Sequence, residues 1–225
     1  MGKNSCVRVC AISVHGGFRY DEAALSTVRR EKIAQIKSPE AKILSAAADA
    51  ALSFALSEHI PGYAPPPALS YDEAGRPRVP GAHVSLSHTR GLAVCAISDA
   101  PVGLDVEWER PINEKIARRV LSPDEMAEFS ASEDQNEFLL LKWVAKEAYL
   151  KLTGAGIAGG MHKYTERDGA LLDAAGTPLA CIRRPILPGY RLAVCQTCPF
   201  PNPSVTPIQL GPLGAWAPER SDGQI

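Results

Sequence analysis

The sequence has no run of 18 uninterrupted apolar residues, so it predicts no membrane-spanning helix. It also has no excess of charge, because 24 Lys and Arg residues stand against 25 Asp and Glu residues. A dedicated nucleic-acid-binding protein normally carries a basic excess, so neither nucleic acid nor a membrane is an expected partner. Arg8 interrupts the first apolar run, which is too short for a signal peptide. We therefore expect a cytoplasmic protein with reduced cysteines.

The cysteines leave one alternative open. Cys195 and Cys198 have the spacing of a zinc or redox pair, but a structural zinc site needs two further ligands. The nearest candidates, Cys6 and Cys10, lie at the other end of the chain. The favoured interpretation is that most of these cysteines are small apolar residues in strands, and a zinc-stapled interaction module is the alternative.

The 225 residues, with 45% hydrophobic and 22% charged content, are typical of one large or two small globular domains. The first half predicts a strand at 6–14, then a helix whose cap is Ser38 followed by Pro39, with an Ala-rich run over 41–56. A loop follows at 61–67. Further strands are expected near 84–86, 92–97 and 102–108.

The second half has a similar order. A capping box begins at Ser122, and a second box formed by Ser132 and Gln135 predicts a helix over about 133–153 that stops at Gly154. Strands are expected near 170–172, 179–183 and 190–196. No exact repeat is visible, but the shared order predicts two similar lobes. The expected units are residues 1–102, residues 103–198 and a Pro-rich tail, 199–225, that lies on the surface or is disordered.

The strand at 102–108 carries the first chemical signal. Because strand side chains alternate between faces, Gly103, Asp105 and Glu107 share one face, opposite an apolar face. Two carboxylates at this spacing repel unless a cation neutralises them. Oxygen ligands of this kind suit Mg²⁺ together with substrate phosphates, whereas a solvated strand face is the alternative.

The long helix carries the second signal, because Trp143, Glu147 and Lys151 follow one another at i+4 steps on one face. The expected buried stripe is Phe138, Leu141, Ala145, Ala148 and Leu152. Two further segments are candidates for anion contacts, and the alternatives are a structural hydrogen-bonding histidine in the first and a solvated helix face in the second. Ser87 and His88 lie at a strand end, and the region from Arg29 to Lys42 carries five basic residues against two acidic ones.

Taken in order, these segments resemble the 4'-phosphopantetheinyl transferases of the long, surfactin-synthetase type. That family has a Gly-Lys/Arg-Pro element, then Asn-x-Ser-His, then Gly-Ile-Asp-Ile-Glu, then Trp-x-x-Lys-Glu-Ala/Ser-x-x-Lys-x-x-Gly-x-Gly. The matching segments here are 75–77, 85–88, 103–107 and 143–156. The departure is Ser85, where the family usually has Asn.

The resemblance implies a pseudo-twofold α+β fold, with coenzyme A bound between two similar lobes of a monomer. It implies an enzyme of the holo-[acyl-carrier-protein] synthase type. Such an enzyme moves the phosphopantetheine arm of coenzyme A onto a serine of an apo acyl or peptidyl carrier protein and releases adenosine 3',5'-bisphosphate. The alternatives are a non-catalytic protein of the same fold that binds coenzyme A or the carrier, and another Mg²⁺-dependent enzyme acting on a nucleotide or pyrophosphate.

The resemblance also assigns residues. The implied ligands of Mg²⁺, or of Mn²⁺ in its place, are Asp105, Glu107 and Glu147. The implied coenzyme A contacts are Arg29, Lys32, Lys42, Arg76, Ser87, His88, Lys146 and Lys151. Glu147, Lys151 and His88 are the implied catalytic residues, and either Glu147 or a water on the metal is the base. Residues 111–121 are expected near the carrier's docking site, where Ile116, Val120 and Leu121 offer an apolar contact or pack inward instead.

Overall fold

Two long helices and two β-sheets make up most of the protein, and the computed structural model describes residues 6–14, 18–156 and 159–209. Each long helix covers one sheet, and the other faces of the two sheets pack against each other. The protein is therefore an α+β structure of two lobes, which confirms the expected fold class. None of the helices in the described ranges combines the length and apolar character needed to cross a bilayer.

The first lobe contains one strand, two helices and then four strands. Its elements are β1 (Val7–Ser13), α1 (Thr27–Gln35), α2 (Pro39–His59), β2 (Ser70–Tyr71), β3 (Pro77–Val79), β4 (Ala82–Thr89) and β5 (Leu92–Ser98). α2 begins where the sequence predicts, because the Ser38 hydroxyl accepts a hydrogen bond from the N–H of Ala41.

The second lobe follows the same plan with one additional short helix. Its elements are β6 (Gly103–Trp108), α3 (Ala117–Val120), α4 (Pro123–Ala131), α5 (Gln135–Thr153), β7 (Thr165–Arg167), β8 (Ala170–Leu172), β9 (Pro178–Arg183) and β10 (Tyr190–Gln196). The capping box at Ser122 is confirmed. The second box is wrong, because Ser132 ends α4 and the Asp134 carboxylate caps α5 by accepting from the N–H of Glu137.

The strand order is the same in both lobes. In the first sheet it is β1-β5-β4-β3-β2, and in the second it is β6-β10-β9-β8-β7, with every neighbouring pair antiparallel. The second strand in each order also carries the same tetrapeptide, Leu-Ala-Val-Cys, at 92–95 in β5 and at 192–195 in β10. The expectation of no exact repeat was therefore wrong for this tetrapeptide, which the sequence itself contains twice. The strand orders add that its two copies occupy equivalent positions in the two sheets.

α5 is buried on two sides, so its buried surface is wider than the single apolar stripe that the sequence predicts. Ala145, Ala148 and Leu152 are buried against the second sheet, as the spacing predicts, but Phe138 and Leu141 are only half-buried. A second cluster, formed with α3 and α4, buries Leu139 and Leu150 on another side of the helix.

Part of the Pro-rich segment is ordered. A further strand, β11 (Val205–Pro207), pairs in parallel with β1 at the edge of the first sheet. Phe200 is buried between the two sheets, and Ile208 is buried in the core beneath α2. The expected tail over 210–225 lies outside the described residues, and the boundaries of the units remain a prediction.

Candidate functional site

Hydroxyl side chains of β4 join the two sheets at the lobe boundary. β6 is an edge strand, so its outer N–H groups need acceptors from outside its own sheet. The N–H groups of Leu104, Val106 and Trp108 donate to the hydroxyls of Ser85, Ser87 and Thr89 at 3.0, 3.4 and 3.4 Å. This ladder fixes the polar end of β4 beside the acidic strand β6. It also gives Ser85 a definite structural partner.

Asp105 lies at the centre of this junction. Its Oδ1 accepts hydrogen bonds from the Ser87 hydroxyl at 2.8 Å and from Lys151 Nζ at 2.7 Å. Its Oδ2 is buried and has no hydrogen-bond partner within the described part of the chain. Glu107, two residues along the same strand, is half-buried and accepts a hydrogen bond from the Thr89 hydroxyl at 3.2 Å. Asp105 and Glu107 therefore both lie where β6 meets β4, on the face of β6 that the sequence predicts they share.

Close packing of α5 on β6 brings the helical residues to the same place. A Cβ at Gly103 would clash with the carbonyl oxygen of Ala148 and lie 2.8 Å from Leu152 N. Only glycine permits this approach. α5 then presents Trp143, Glu147 and Lys151 to the recess that contains Asp105 and Glu107.

Two connected cavities lie along the lobe boundary. One, of about 270 Å³, contains the carboxylates and Ser87. The other, of about 300 Å³, contains most of the basic residues, and His88, Glu147 and Lys151 line both. We call the pair the cleft. Its predicted site residues are Arg29, Lys32, Arg76, Ser87, His88, Asp105, Glu107, Glu147 and Lys151.

The charges in the cleft perturb one another. Burial, and then the nearby Asp105 carboxylate, raises the pKa values of Glu107 and Glu147. Burial lowers the pKa of His88, and the positive charge of Lys151 lowers it further. The pKa of Lys32 is also lowered, first by burial and then by Arg29. The acidic part of the cleft therefore favours a cation, and the basic part favours an anion.

Arg29 is held by groups that the sequence reasoning missed. Its Nε lies 3.4 Å from Asp49 Oδ1, and its other nitrogens donate to the Ser45 and Tyr71 hydroxyls at 3.1 Å each. The Asp49 carboxylate also accepts hydrogen bonds from the backbone and hydroxyl of Ser26. Asp49 is the lone acidic residue in the Ala-rich run of α2, and this was the available signal. A carboxylate buried among alanines requires a hydrogen-bonding or positively charged partner.

Two of the expected coenzyme A contacts are not brought to the cleft. Lys146 is fully buried, and its Nζ donates to the Val120 carbonyl at 2.7 Å and to the Glu125 carboxylate. It points away because α5 turns by about 100° at each residue, so Glu147 and Lys146 face different neighbours. Lys42, in the first turn of α2, is half-buried and does not line either cavity.

The residues in the described ranges contain no group of three or more His, Cys, Asp or Glu side chains arranged to hold a metal ion unaided. Asp105 Oδ2 is nevertheless a buried oxygen without a hydrogen-bond partner, and its neighbours favour added positive charge. Cys195 is buried in β10 whereas Cys198 is exposed, so nothing supports the zinc alternative for this pair.

The segment expected near the carrier has its apolar side turned inward. Val120 and Leu121 are buried with Ala117 in the core formed by α3, α4 and α5, and Ile116 is half-buried. They therefore offer little apolar contact to a partner. The exposed charged residues of the segment in the described ranges include Lys115, Arg118 and Arg119, which are all basic.

This chain is similar to several known 4'-phosphopantetheinyl transferases. The family model for the 4'-phosphopantetheinyl transferase superfamily matches residues 101–184, a range that contains β6 and α5. The 4'-phosphopantetheinyl transferase psf-1 of Bacillus pumilus is 37% identical over 130 residues, which cover 54% of this chain and 56% of that protein. The 4'-phosphopantetheinyl transferase Sfp of Bacillus subtilis (strain 168) is 30% identical over 146 residues, which cover 60% and 65%.

The chain thus spans less than two thirds of the length of these curated relatives. Among solved structures, the holo-[acyl-carrier-protein] synthase of Thermotoga maritima is 24% identical to the aligned part. The aligned part covers 43% of this chain and 61% of the Thermotoga maritima protein, with a TM-score of 0.36. That similarity is too low to support a structural argument.

Proposed function

We propose that this protein is a 4'-phosphopantetheinyl transferase, which transfers the phosphopantetheine arm of coenzyme A to a serine of an apo acyl or peptidyl carrier protein. The family match over residues 101–184 and the similarity to psf-1 and Sfp support this proposal. The observation that carries this proposal is the division of the cleft into basic and acidic parts that share His88, Glu147 and Lys151. Coenzyme A has a pyrophosphate and a 3'-phosphate. Such a ligand needs several basic side chains to bind its phosphates. Where its pyrophosphate approaches the carboxylates of the cleft, it also needs a metal cation between the negative groups.

The reaction breaks one phosphorus–oxygen bond and forms another. The serine oxygen of the carrier attacks the phosphorus that bears the pantetheine arm, and adenosine 3',5'-bisphosphate leaves with the bridging oxygen. The serine proton passes to Glu147, directly or through a water. Lys151 and His88 hold the phosphates in line as fixed hydrogen-bond donors.

A divalent cation, Mg²⁺ or Mn²⁺, fits the acidic part of the cleft. Asp105, Glu107 and Glu147 would hold it, and the free Oδ2 of Asp105 supports this assignment. Mg²⁺ usually takes only one or two carboxylates, with waters and substrate phosphates completing its shell, so a sparse protein ligand set suits it. When bound, the cation neutralises charge on the pyrophosphate oxygens.

The proposal also covers the oligomeric state, the location and the partners of the protein. We propose that the protein acts as a cytoplasmic monomer, since the cleft is assembled from two lobes of one chain. We also propose that it takes neither nucleic acid nor a membrane as a partner, in agreement with its net charge of -1. The exposed basic residues of segment 111–121 are proposed to meet an acidic surface of the carrier.

The deciding experiment is intact-mass spectrometry of an apo carrier protein incubated with coenzyme A, Mg²⁺ and this protein. We expect a mass increase equal to one phosphopantetheine arm. The increase should be absent with EDTA and with the Glu147→Ala variant. Binding of coenzyme A without any mass increase, across carriers of fatty-acid, polyketide and peptide synthesis, would support the non-catalytic alternative instead.

A further inference from the structure

The turn between β2 and β3 reaches across the lobe boundary to the end of α5. Arg76, in this turn, donates from Nη1 to the carbonyl oxygen of Leu152 at 3.2 Å and from Nε to Asp72 Oδ2 at 2.9 Å. The two segments are in close contact, since a Cβ at Gly154 would lie 2.6 Å from the Cβ of Ala74. Arg76 also lines the cleft. Its guanidinium is thus anchored on both lobes beside the proposed phosphate site.

The two carboxylate oxygens of Asp72 have separate tasks. Oδ1 accepts hydrogen bonds from the backbone N–H groups of Ala74 and Arg76, at 3.1 and 2.9 Å, and so closes the turn. Oδ2 accepts from the Arg76 guanidinium and, at 3.1 and 2.7 Å, from Nε and Nη2 of Arg78. The turn therefore depends on Oδ1, whereas the position of the guanidinium depends on Oδ2.

The second lobe contains the same turn without the arginine. The pattern Asp-x-Ala-Gly-x-Pro occurs at 72–77 and again at 173–178, where Thr177 replaces Arg76. Asp173 Oδ1 accepts from the N–H groups of Ala175 and Thr177 at 2.9 and 2.8 Å. The backbone bonds that close the two turns are also equivalent, Gly75 to Asp72 at 2.8 Å and Gly176 to Asp173 at 3.0 Å. The chain thus supplies an internal control for Asp72.

Asp72 places a negative charge next to the proposed phosphate site. Hydrogen bonds, the first of them from the Arg76 backbone, lower its pKa to about 2, so it is ionised under all working conditions. A negative charge near an anion site weakens anion binding by simple electrostatics. Its presence beside Arg76 therefore indicates that holding the guanidinium in place outweighs that repulsion.

We propose that Asp72 is a positioning residue for coenzyme A. Its Oδ2 keeps Arg76 against the Leu152 carbonyl, so that the rest of the guanidinium faces the phosphates in the cleft. This inference rests on the proposed function, and Asp72 itself does not touch the ligand.

The test compares Asp72→Asn with Asp173→Asn. In each variant the amide oxygen can replace Oδ1 and keep the turn, but at Asp72 the amide nitrogen cannot accept from Arg76. We expect the Kd of coenzyme A, measured by calorimetry, and the KM for coenzyme A to rise about tenfold for Asp72→Asn, because a charge-assisted hydrogen bond is lost. Asp173→Asn should match the wild type, kcat should change little in either variant, and both should unfold at similar temperatures.

A double-mutant cycle gives a second readout. Asp72→Asn should not weaken coenzyme A binding when Arg76 is already Ala, because no guanidinium remains to be positioned and only the repulsive charge of Asp72 is removed. Unchanged or tighter binding by Asp72→Asn alone, in a protein that transfers the arm normally, would overturn the positioning role and leave the proposed function standing. If the wild-type protein neither binds coenzyme A nor transfers the arm, both proposals fail together.

Discussion

Lys151 Nζ lies 2.7 Å from Asp105 Oδ1, and the hydroxyl of Ser87 donates to the same oxygen at 2.8 Å. These three residues come from α5, β6 and β4, and therefore from both lobes. The ammonium group orients one carboxylate oxygen, and the other, Oδ2, has no hydrogen-bond partner among the residues that the structure describes. A single contact thus joins the basic part of the cleft to its acidic part.

Replacing Lys151 should abolish most of the transfer activity. Lys151→Met removes the cation that orients Asp105 and that, in the proposed reaction, would contact phosphate, and we expect kcat/KM to fall by about 100-fold or more. Stability should also fall, because the Asp105 carboxylate is buried and loses its ion-pair partner. The measurement is a rate assay with a carrier protein. Lys163→Met is the matched control, because Lys163 is exposed and does not line the cleft.

Stability should respond to pH through Glu147. Its pKa is raised in the folded protein, first by burial and then by Asp105, so the folded state binds more protons than the unfolded state above the ordinary value of 4.5. In the metal-free protein this group therefore favours folding below that pH, and the benefit is lost as the pH rises through the raised pKa.

Glu147→Gln removes this pH-dependent term. We expect the variant to be more stable than the wild type at neutral pH without metal, with the difference shrinking as the pH falls toward 4.5. Thermal unfolding with EDTA at several pH values measures it. A constant difference across that range would contradict the assignment.

Gly103 should tolerate no side chain. In Gly103→Ala the new methyl group would clash with the Ala148 carbonyl and push α5 away from β6. We expect a loss of about 3 kcal/mol in the free energy of unfolding, measured by urea titration, together with loss of activity. Gly176→Ala is the comparison. Open space surrounds Gly176, so only its positive φ of 79° resists a side chain, which costs about 1–2 kcal/mol.

The hydroxyl ladder predicts a specific cost at Ser85. Ser85→Ala leaves the buried N–H of Leu104 without its acceptor, which should lower the free energy of unfolding by about 1–3 kcal/mol. Ser85→Thr keeps a hydroxyl at this position, so it should retain much of the free energy of unfolding that Ser85→Ala loses. Ser57→Ala serves as the control, because that hydroxyl bonds only to the carbonyl of its own helix at Phe54 and is exposed. Equal losses in the two alanine variants would rule out the ladder as a stabilising contact.

The sequence alone predicted both long helices and seven of the strands, because period-two alternation, the caps at Ser38 and Ser122 and the stop at Gly154 are local signals. It did not predict β2, β3, β7 and β11, because strands of two or three residues are too short to show a period. The sequence also placed Asp105 and Glu107 on one strand face and Glu147 and Lys151 on one helix face, since each pair is separated by a single period. These pairs are the part of the cleft that local geometry determines.

The tertiary structure decided which charges reach the cleft. Lys146 and Glu147 are adjacent in the sequence, yet the first is neutralised in the core by Glu125 and the second lines the cleft. Asp49 becomes relevant only because the fold brings Arg29 to it from another helix. Asp72 becomes relevant because Arg76, in its own turn, contacts the Leu152 carbonyl on the other lobe. A charge acquires its role from its partner, and the burial that makes pairing obligatory exists only once α5 has packed against the sheet.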